Sequence, residues 1–195
     1  PQNNGEFIRL ACAIVQKRLA ALKKLQNIAS SIYSSLASSK EEMTIKYELK
    51  GNNSELFYPE NGEGFDENFY YKLLKERNRI DMLRGNTGIG PHRDDLVLLL
   101  NNMSLKSYGS QGQHRTGALA LKLSQLEYVK NEIGEFPILL LDDVMSELDN
   151  SRRKQLLRFI DGKVQTFITV NDRELIPELA GNTYFEISNG SAKEA

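Results

Sequence analysis

The chain has 195 residues, enough for one large domain or two small ones. Hydrophobic residues make up 40% and charged residues 26%, which is an ordinary balance for a globular protein. Because 25 basic and 26 acidic residues leave a net charge of -1, a strongly basic nucleic-acid binder is excluded, and any such surface must be a local patch.

Cysteine content and hydropathy bear on the compartment. The single cysteine, Cys12, excludes an internal disulfide and fits a reducing cytosol, so we expect a cytoplasmic protein. No apolar run approaches the roughly 20 residues of a membrane helix, and we expect no membrane contact. No signal peptide is visible, and we interpret the opening Pro1-Gln2-Asn3-Asn4 as an arbitrary cut.

A long helix is predicted over residues 6–36, because apolar residues recur there at heptad spacing. The repeating positions are Ile8, Val15, Leu22, Ala29 and Leu36, with Ala11, Leu25 and Ile32 between them and Arg18 as the exception. Such a narrow apolar stripe favours a partner helix, either upstream of the first residue or in another chain. An ordinary core helix explains the same pattern, and both hypotheses stay open.

Short strands are predicted after this helix. Residues 43–49 alternate between apolar and polar side chains, which indicates a strand with one solvated face. The loop at 50–67 is rich in Gly, Asn and Glu and is the expected boundary between an arm and a head. Residues 88–95 form a turn, residues 96–100 an apolar strand, and Asn101-Asn102 a tight hairpin from which 103–108 return antiparallel.

A second helix is predicted over residues 68–83. Its apolar positions include Phe69, Leu73, Ile80 and Leu83, and its cations are Lys72, Lys75, Arg77, Arg79 and Arg84. This is the most basic helix in the chain, which raises the hypothesis of contact with phosphate. Because Glu76 and Asp81 dilute the positive charge, a solvated face is the favoured interpretation.

A helix start suited to an anion follows. Ser110-Gln111-Gly112-Gln113 opens a helix predicted over about residues 113–133, with an apolar stripe at Leu119, Leu123, Leu126, Val129 and Ile133. Ser110 or Gly112 can cap this helix. Free backbone N–H groups and the helix dipole attract an anion at such an end. Gly112 lets the backbone approach closely, and Ser110 and Gln113 add side-chain hydrogen bonds.

Paired carboxylates end the most apolar strand. Residues 137–141 run without a polar side chain into Asp142 and Asp143, which predicts a strand buried on both faces, as in a parallel sheet. Open α/β sheets bind ligands at the carboxyl ends of their strands. Because side chains alternate along a strand, one acid could hold a hydrated Mg2+ ion while the other orients or deprotonates a water.

The remaining segments alternate helix and strand. We predict a helix over 150–160 capped by Asp149 or Asn150, a core strand over 164–170, a short helix over 173–180 and a last strand over 183–188. This order indicates an α/β fold with a mostly parallel sheet covered by helices. We expect Ser110 and Asp142 to lie on the rim of that common sheet.

The motifs together resemble a known family. Tyr108-Gly-Ser-Gln-Gly-Gln113, Ile138-Leu-Leu-Leu-Asp-Asp143, Ser146-Glu-Leu-Asp149 and Gly90-Pro-His-Arg-Asp-Asp-Leu96 are similar to the carboxyl-terminal half of the RecF family. Its members are bacterial recombination-mediator ATPases whose heads are like those of the ABC and SMC families. The resemblance implies a partial ABC/SMC-like head, with residues 1–40 as the long helix of the arm (lid) region and residues 41–195 as the carboxyl-terminal part of the head.

The resemblance also implies roles for the loops. Ser110, Gln111, Gly112 and Gln113 look like the signature motif, which contacts the γ-phosphate of ATP bound to the opposite subunit. Residues 146–149, ending in Asp149, look like the loop that bridges two heads at the nucleotide.

Three further positions match the family's strand ends. Asp142 looks like the Walker B acid that holds Mg2+ through water, and Asp143 takes the position of the catalytic carboxylate, which is usually Glu in ABC proteins. Asn171 occupies the place where many ABC ATPases have a switch histidine that acts on the nucleotide. The resemblance therefore implies slow ATP hydrolysis at most.

The phosphate-binding loop G-x-x-x-x-G-K-[ST] is absent from the sequence. Only Gly162-Lys163 comes near, and Leu157 and Val164 break the pattern on either side. Members of the family carry that loop near their amino terminus. We therefore expect half of a head plus one leg of the arm, without tight ATP binding or ATPase activity of its own.

For the whole protein, the resemblance implies recombinational DNA repair and replication-fork recovery by a nucleotide-gated dimer. The implied cofactors are ATP and Mg2+, and the implied partners are DNA (single-stranded, duplex or junctions), the recombination mediator protein RecR and a second copy bound upon ATP binding. DNA affinity would be salt-sensitive and weakly sequence-specific. The alternatives are a half-head of another SMC-type repair ATPase, an ABC transporter subunit, or a non-catalytic DNA- and protein-binding scaffold.

Overall fold

The computed structural model describes residues 4–37, 41–52, 55–59, 66–176 and 181–194. The elements are α1 (Asn4–Leu36), β1 (Met43–Lys50), β2 (Leu56–Phe57), α2 (Glu67–Arg84), β3 (Asp95–Leu100), β4 (Met103–Ser104), α3 (Leu105–Tyr108), α4 (Gln111–Ile133), β5 (Leu139–Asp142), α5 (Val144–Glu147), α6 (Asn150–Ile160), β6 (Thr166–Thr169), β7 (Phe185–Ser188) and β8 (Ser191–Glu194). Within these ranges the strands form an antiparallel sheet of order β2-β1-β3-β4, a parallel pair β5-β6 and an antiparallel hairpin β7-β8. No helix in this part of the chain is long and apolar enough to cross a membrane.

The apolar seam of α1 is buried inside its own chain. The seam residues with the least exposure are Ile8, Val15, Ala29 and Leu36. They pack against α4, β1, α2 and α6, so the core-helix hypothesis is confirmed and a partner helix from outside the chain is the wrong expectation. Arg18, the exception in the seam, donates hydrogen bonds to the Tyr47 hydroxyl at 2.9 Å and to the Pro91 carbonyl at 2.6 Å.

Two hydrophobic clusters share α1. Its first half packs with the end of β1 and with α2, where Tyr70 and Leu73 are buried. Its second half packs with β3, α4, β5 and α6. Near the end of α2, Ile80 and Leu83 are 42% and 82% exposed, so only the first half of that helix joins a core. The division between residues 1–40 and 41–195 stays a prediction, because α1 contributes side chains to both clusters.

The β3–β4 hairpin delivers the chain to the start of α4. Asn101 and Asn102 both adopt left-handed backbone angles, with φ of 49° and 64°, as the predicted tight turn requires. The return strand β4 is short, and the expected strand over 103–108 is wrong beyond it, because α3 follows. Leu105 is 4% exposed in the main cluster, and its carbonyl accepts a hydrogen bond from the Gly109 N–H at 2.9 Å. This contact turns the chain toward α4.

The strand β5 is buried on one face only. Leu139 and Leu141 point into the main cluster, whereas Ile138 and Leu140 are 59% and 72% exposed, and Phe167 of β6 is 57% exposed beside them. The expectation of burial on both faces is therefore wrong, because no described element covers the second face. The α/β class is confirmed, but parallel pairing among the described strands is limited to β5 and β6.

The carboxyl-terminal elements match the predictions in part. The helix expected over 150–160 is α6, and Asp149 rather than Asn150 caps it. In place of the helix expected over 173–180 the chain has a short 3-10 turn at Arg173–Leu175, and residues 177–180 lie outside the described ranges. The last predicted strand is β7, and its polar partner β8 is an addition that the sequence pattern did not predict.

Candidate functional site

The start of α4 is fixed by a reciprocal cap. The helix begins at Gln111, two residues before the predicted position, with Ser110 as the capping residue. The Ser110 hydroxyl accepts from the Gln113 N–H at 3.2 Å, and the Gln113 side-chain oxygen accepts from the Ser110 N–H at 2.7 Å. Ser110 and Gln111 are exposed and Gly112 is half-buried. The residues of the predicted signature motif therefore form an ordered, accessible helix end.

A partly buried hydrogen-bond chain connects this cap to α1. The Gln113 amide nitrogen donates to Glu41 Oε1 at 2.6 Å, and the Tyr33 hydroxyl donates to Glu41 Oε2 at 2.9 Å. Tyr33 is fully buried, and this burial raises its pKa, with the bond to Glu41 adding to the shift. The helix α1 and the start of α4 are thus held together through one carboxylate.

The two acids at the end of β5 have different backbone conformations. Asp142 is the last strand residue and pairs in register with Thr169 of β6, whose hydroxyl donates to Asp142 Oδ1 at 2.6 Å. Asp143 has left-handed angles, φ 51° and ψ 20°, and its N–H donates to the Thr169 carbonyl at 3.2 Å. Both acids are exposed. Thr169 was not predicted, although the alignment of two parallel strand ends could have indicated it.

The short helix α5 holds the segment between Asp143 and Asp149. The Ser146 hydroxyl donates to the Asp143 carbonyl at 2.8 Å. Arg115 of α4 donates to the Glu147 carbonyl at 2.9 Å, and Arg153 of α6 donates to the Met145 carbonyl at 2.7 Å. Because two arginines from separate helices bond its backbone carbonyls, this segment has a defined position between the acids and the start of α4.

Arg152 joins Asp149 to the start of α4. Asp149 caps α6 by accepting from the Arg152 N–H at 2.9 Å and also pairs with the Arg152 guanidinium. Arg152 Nε donates to the hydroxyl of buried Thr116 at 2.7 Å, and that hydroxyl donates to the Gly112 carbonyl at 2.8 Å. The Arg152 backbone N–H, followed by its guanidinium, lowers the pKa of Asp149, so this carboxylate stays charged. Neither Arg152 nor Thr116 was predicted.

The structure thus brings the candidate residues into two linked groups. One contains the start of α4 together with Asp149, and the other contains Asp142, Asp143 and Thr169. The expected rim of one common sheet is wrong, because Ser110 follows the antiparallel sheet whereas Asp142 ends the parallel pair. The two groups are joined through α5 instead. Asn171 is exposed two residues after β6.

The arrangement has definite chemical capacities. An exposed helix end with unpaired N–H groups favours an anionic ligand. A Cβ added at Gly112 would lie 3.6 Å from the nearest atom, in ordinary contact, so closeness to this chain does not require glycine there. Within the described ranges no three acidic, His or Cys side chains gather to hold a metal by themselves. Asp142 could supply the single carboxylate of a Mg2+ site whose other ligands are phosphate oxygens and water.

The helices, the mixed sheets and the acid at the end of a parallel strand place the fold in the class of ABC/SMC-like ATPase heads, as the carboxyl-terminal part of one. No model of a protein family matches the chain. The DNA replication and repair protein RecF of Streptococcus gordonii is 42% identical over 189 residues, covering 96% of this chain and 50% of that protein. RecF of Halalkalibacterium halodurans is 42% identical over 193 residues, covering 97% and 50%.

Solved structures agree with these relatives. The recombination mediator protein RecF with ATP, in the RecFOR pathway, superposes with a TM-score of 0.77 at 34% identity, covering 98% of this chain and 49% of that one. The same protein with an ATP analogue gives a TM-score of 0.74 at 35% identity, covering 96% and 49%. The resemblance is confirmed: the chain matches the carboxyl-terminal half of RecF proteins, whose name describes them as DNA replication and repair proteins. It spans about half the length of the curated relatives it matches.

Proposed function

We propose that this chain forms the carboxyl-terminal part of the head of an ATP-dependent DNA-binding protein in recombinational repair and replication-fork recovery. The whole protein acts in the cytoplasm as a dimer that closes on ATP and loads a recombination mediator on DNA through RecR. The observation that carries the proposal is the exposed, capped start of α4, linked through Arg152 to Asp149. This arrangement presents backbone N–H groups and two neighbouring loops on one accessible surface.

In this proposal the start of α4 receives the phosphates of ATP held by a second copy. Ser110 supplies a hydroxyl, Gln111 and Gly112 supply helix-terminal N–H groups, and Gln113 positions them through the cap, an arrangement suited to a triphosphate. The cap and the bond from Gln113 to Glu41 hold these groups in place before the ligand arrives. Asp149 sits beside the same surface as a charged residue in the loop that would bridge the two heads.

In this proposal Asp142 binds the Mg2+ ion and Asp143 positions the water that attacks ATP. Asp142 would hold Mg2+, which on binding would neutralise phosphate charge, and Thr169 orients the carboxylate through its hydroxyl. Asp143 would orient the attacking water from the separate direction that its left-handed backbone gives it. Asn171 lies near this strand end without an imidazole, so the proposal includes slow hydrolysis.

This sequence contains no phosphate-binding G-x-x-x-x-G-K-[ST] loop, which limits what the chain can do alone. We propose that the exposed face containing Ile138, Leu140 and Phe167 packs against the other half of a RecF-type head. Exposed apolar side chains of this size on a sheet face mark a contact surface. By itself the chain will not bind ATP tightly, and a nanomolar dissociation constant measured by isothermal titration calorimetry on these 195 residues would contradict the proposal.

The test uses the Ser110→Arg variant of the protein that carries both halves. An arginine would occupy the space intended for the phosphates of the second copy, so ATP-driven dimerisation should disappear in analytical ultracentrifugation. Ser107→Arg is the matched control, because Ser107 is also exposed and lies just before the loop. If Ser110→Arg dimerises with ATP as well as the parent protein, the shared-nucleotide arrangement is wrong.

The Asp143→Asn substitution distinguishes the ATPase proposal from the alternative hypothesis of a non-catalytic scaffold. This substitution keeps size and tolerates left-handed angles, so folding should be unaffected. If Asp143 does chemistry, ATP hydrolysis by the whole protein falls at least tenfold, which is about 1.4 kcal/mol in barrier height. Unchanged hydrolysis and unchanged repair in cells would favour a domain that only binds DNA and a protein partner.

A further inference from the structure

The guanidinium of Arg152 lies beside the glycine at the start of α4. A Cβ atom built at Gly112 would lie 3.6 Å from Arg152 Nη2 and 4.0 Å from Ser110 Oγ. Both atoms are therefore close to the same point next to Gly112. The Arg152 side chain is 26% exposed, and Ser110 is exposed, so a molecule arriving from solvent can reach both of them.

Two of the three guanidinium nitrogens of Arg152 have partners, and Nη2 has none among the described residues. Nε donates to the Thr116 hydroxyl at 2.7 Å, and Nη1 pairs with the Asp149 carboxylate. Thr116 is 1% exposed and donates to the Gly112 carbonyl at 2.8 Å, which ties the guanidinium to the helix start. Because the guanidinium is planar, the bonds of Nε and Nη1 also fix the direction in which Nη2 can donate.

Ser110 offers a second donor near the same point. Its hydroxyl oxygen accepts from the Gln113 N–H at 3.2 Å, and no described residue accepts the hydroxyl hydrogen. Because Ser110 Oγ and Arg152 Nη2 flank Gly112, they are close enough to bond separate oxygens of one phosphate at about 2.7–2.9 Å each. The first turn of α4 contains no acidic residue that would repel such a group.

We propose that Arg152 is a phosphate-binding residue that completes the site at the start of α4. Its Nη2 donates to the terminal phosphate of ATP held by a second copy, and the Ser110 hydroxyl donates to another oxygen of that phosphate. The inference rests on the proposed function and deepens it, because it adds a cation to a set of neutral donors. Hydrogen bonds between charged groups are roughly twice as strong as neutral ones. Since ADP lacks the terminal phosphate, Arg152 would favour dimerisation with ATP over ADP.

The alternative is that Arg152 has only a structural role. Its side chain holds Asp149 and Thr116, and through Thr116 it is linked to the Gly112 carbonyl. Arg152→Gln and Thr116→Val both break the bond between Nε and the Thr116 hydroxyl, but only Arg152→Gln removes Nη2. A comparison of these two variants therefore separates phosphate binding from positioning. Arg158→Gln is the matched control, because Arg158 is an exposed arginine of the same helix.

The experiment measures ATP-driven dimerisation of the protein that carries both halves, by analytical ultracentrifugation at saturating ATP. We expect Arg152→Gln to raise the dissociation constant of the dimer at least tenfold, as the loss of one charge-assisted hydrogen bond predicts. Thr116→Val and Arg158→Gln should raise it less than threefold. Binding of a fluorescent ATP analogue to the dilute monomer should be the same in all variants, because there the nucleotide is held without the second copy. Melting temperatures of Arg152→Gln and Thr116→Val should fall together, since both lose the same internal bond.

The inference is overturned if Arg152→Gln dimerises as well as the parent protein. An equal loss in Thr116→Val would make Arg152 a structural residue only, and an equal loss in Arg158→Gln would mean that only net charge matters. If Arg152→Gln does not fold, Arg152→Lys takes its place, because one nitrogen cannot replace three separate donor atoms. We expect this variant to dimerise at least threefold more weakly, and dimerisation equal to that of the parent would again overturn the inference. A parent protein that does not dimerise with ATP would refute the proposed function itself, so the two failures are distinguishable.

Discussion

Ser110 has a structural role and a proposed ligand-binding role, and two substitutions separate them. Ser110→Ala removes the hydroxyl that accepts from the Gln113 N–H at 3.2 Å and breaks one half of the reciprocal cap. Loss of such a cap lowers the free energy of unfolding by about 1 kcal/mol, within a range of roughly 0.5–2. In a protein of this size, that loss lowers the melting temperature by about 2–4 °C. Ser110→Asp keeps an equally good capping oxygen, so we expect its stability to stay within about 0.5 kcal/mol of the parent.

The assay for stability is urea unfolding followed by far-ultraviolet circular dichroism, with Ser107→Ala as a control that touches no cap. For the ligand role, Ser110→Asp places a negative charge where phosphate is proposed to bind. The same substitution should therefore abolish ATP-driven dimerisation in the protein that carries both halves. If Ser110→Asp loses as much stability as Ser110→Ala, the cap geometry is wrong, and if it dimerises normally, the phosphate role is wrong.

Other substitutions test separate parts of the structure. Burial raises the pKa of Asp94 despite hydrogen bonds from the Tyr47 hydroxyl and the Lys50 N–H, so the native state holds its proton more tightly than the unfolded chain. The stability contributed by this proton is present at acid pH and is lost as pH rises through the raised pKa. Asp94→Asn should therefore make the free energy of unfolding, measured with urea, decline less from acid to neutral pH. Parallel plots of the free energy against pH for the two proteins would refute this prediction. Thr169→Val removes the hydroxyl that bonds Asp142 and should lower the free energy of unfolding by about 0.5–1.5 kcal/mol, whereas an unchanged urea midpoint would show that the bond contributes nothing. Leu140→Lys should change the stability of this chain by less than about 0.5 kcal/mol because Leu140 is 72% exposed, but should destabilise the protein with both halves; equal effects in calorimetry would mean that the face is not covered there.

Elements with a local physical cause were predictable from the sequence. Most heptad positions of α1 are buried, because apolar side chains three and four residues apart form one face of a helix and pack together against any partner. Asn101 and Asn102 form the hairpin because their side chains tolerate the left-handed angles that the turn requires. Ser110 could be recognised as one of two candidate caps, with Gly112, because the capping pattern spans only four residues.

Features that depend on distant contacts were not predictable. Glu41 meets Gln113 across 72 positions of sequence, and Arg152 meets Thr116 across 36, so no local pattern indicates either bond. Residues 103–108 alternate like a strand, yet burial of Leu105 favours a helical turn there. The apolar run Ile138-Leu139-Leu140-Leu141 indicates a hydrophobic strand. Whether another element covers the second face of that strand depends on distant parts of the chain, which the run itself does not reveal.

Of the two acids Glu76 and Asp81, only Asp81 turns inward. It accepts from Arg77 Nε and from the Gly88 N–H, and its side chain is 14% exposed. Glu76 accepts from the Asn52 amide but stays exposed, as the favoured interpretation of a solvated face requires. Which charges form inward hydrogen bonds could be known only from the packing.

The left-handed backbone of Asp143 limits which acid can stand at that position. Only glycine, asparagine and aspartate adopt φ near 51° at low cost, because their short side chains relieve the crowding with the backbone. A glutamate there would extend one methylene farther toward a substrate, but the left-handed backbone would cost it about 1–2 kcal/mol. Reach and backbone conformation therefore favour different acids at this residue, and the shorter carboxylate is the one that the main chain accommodates at lower cost.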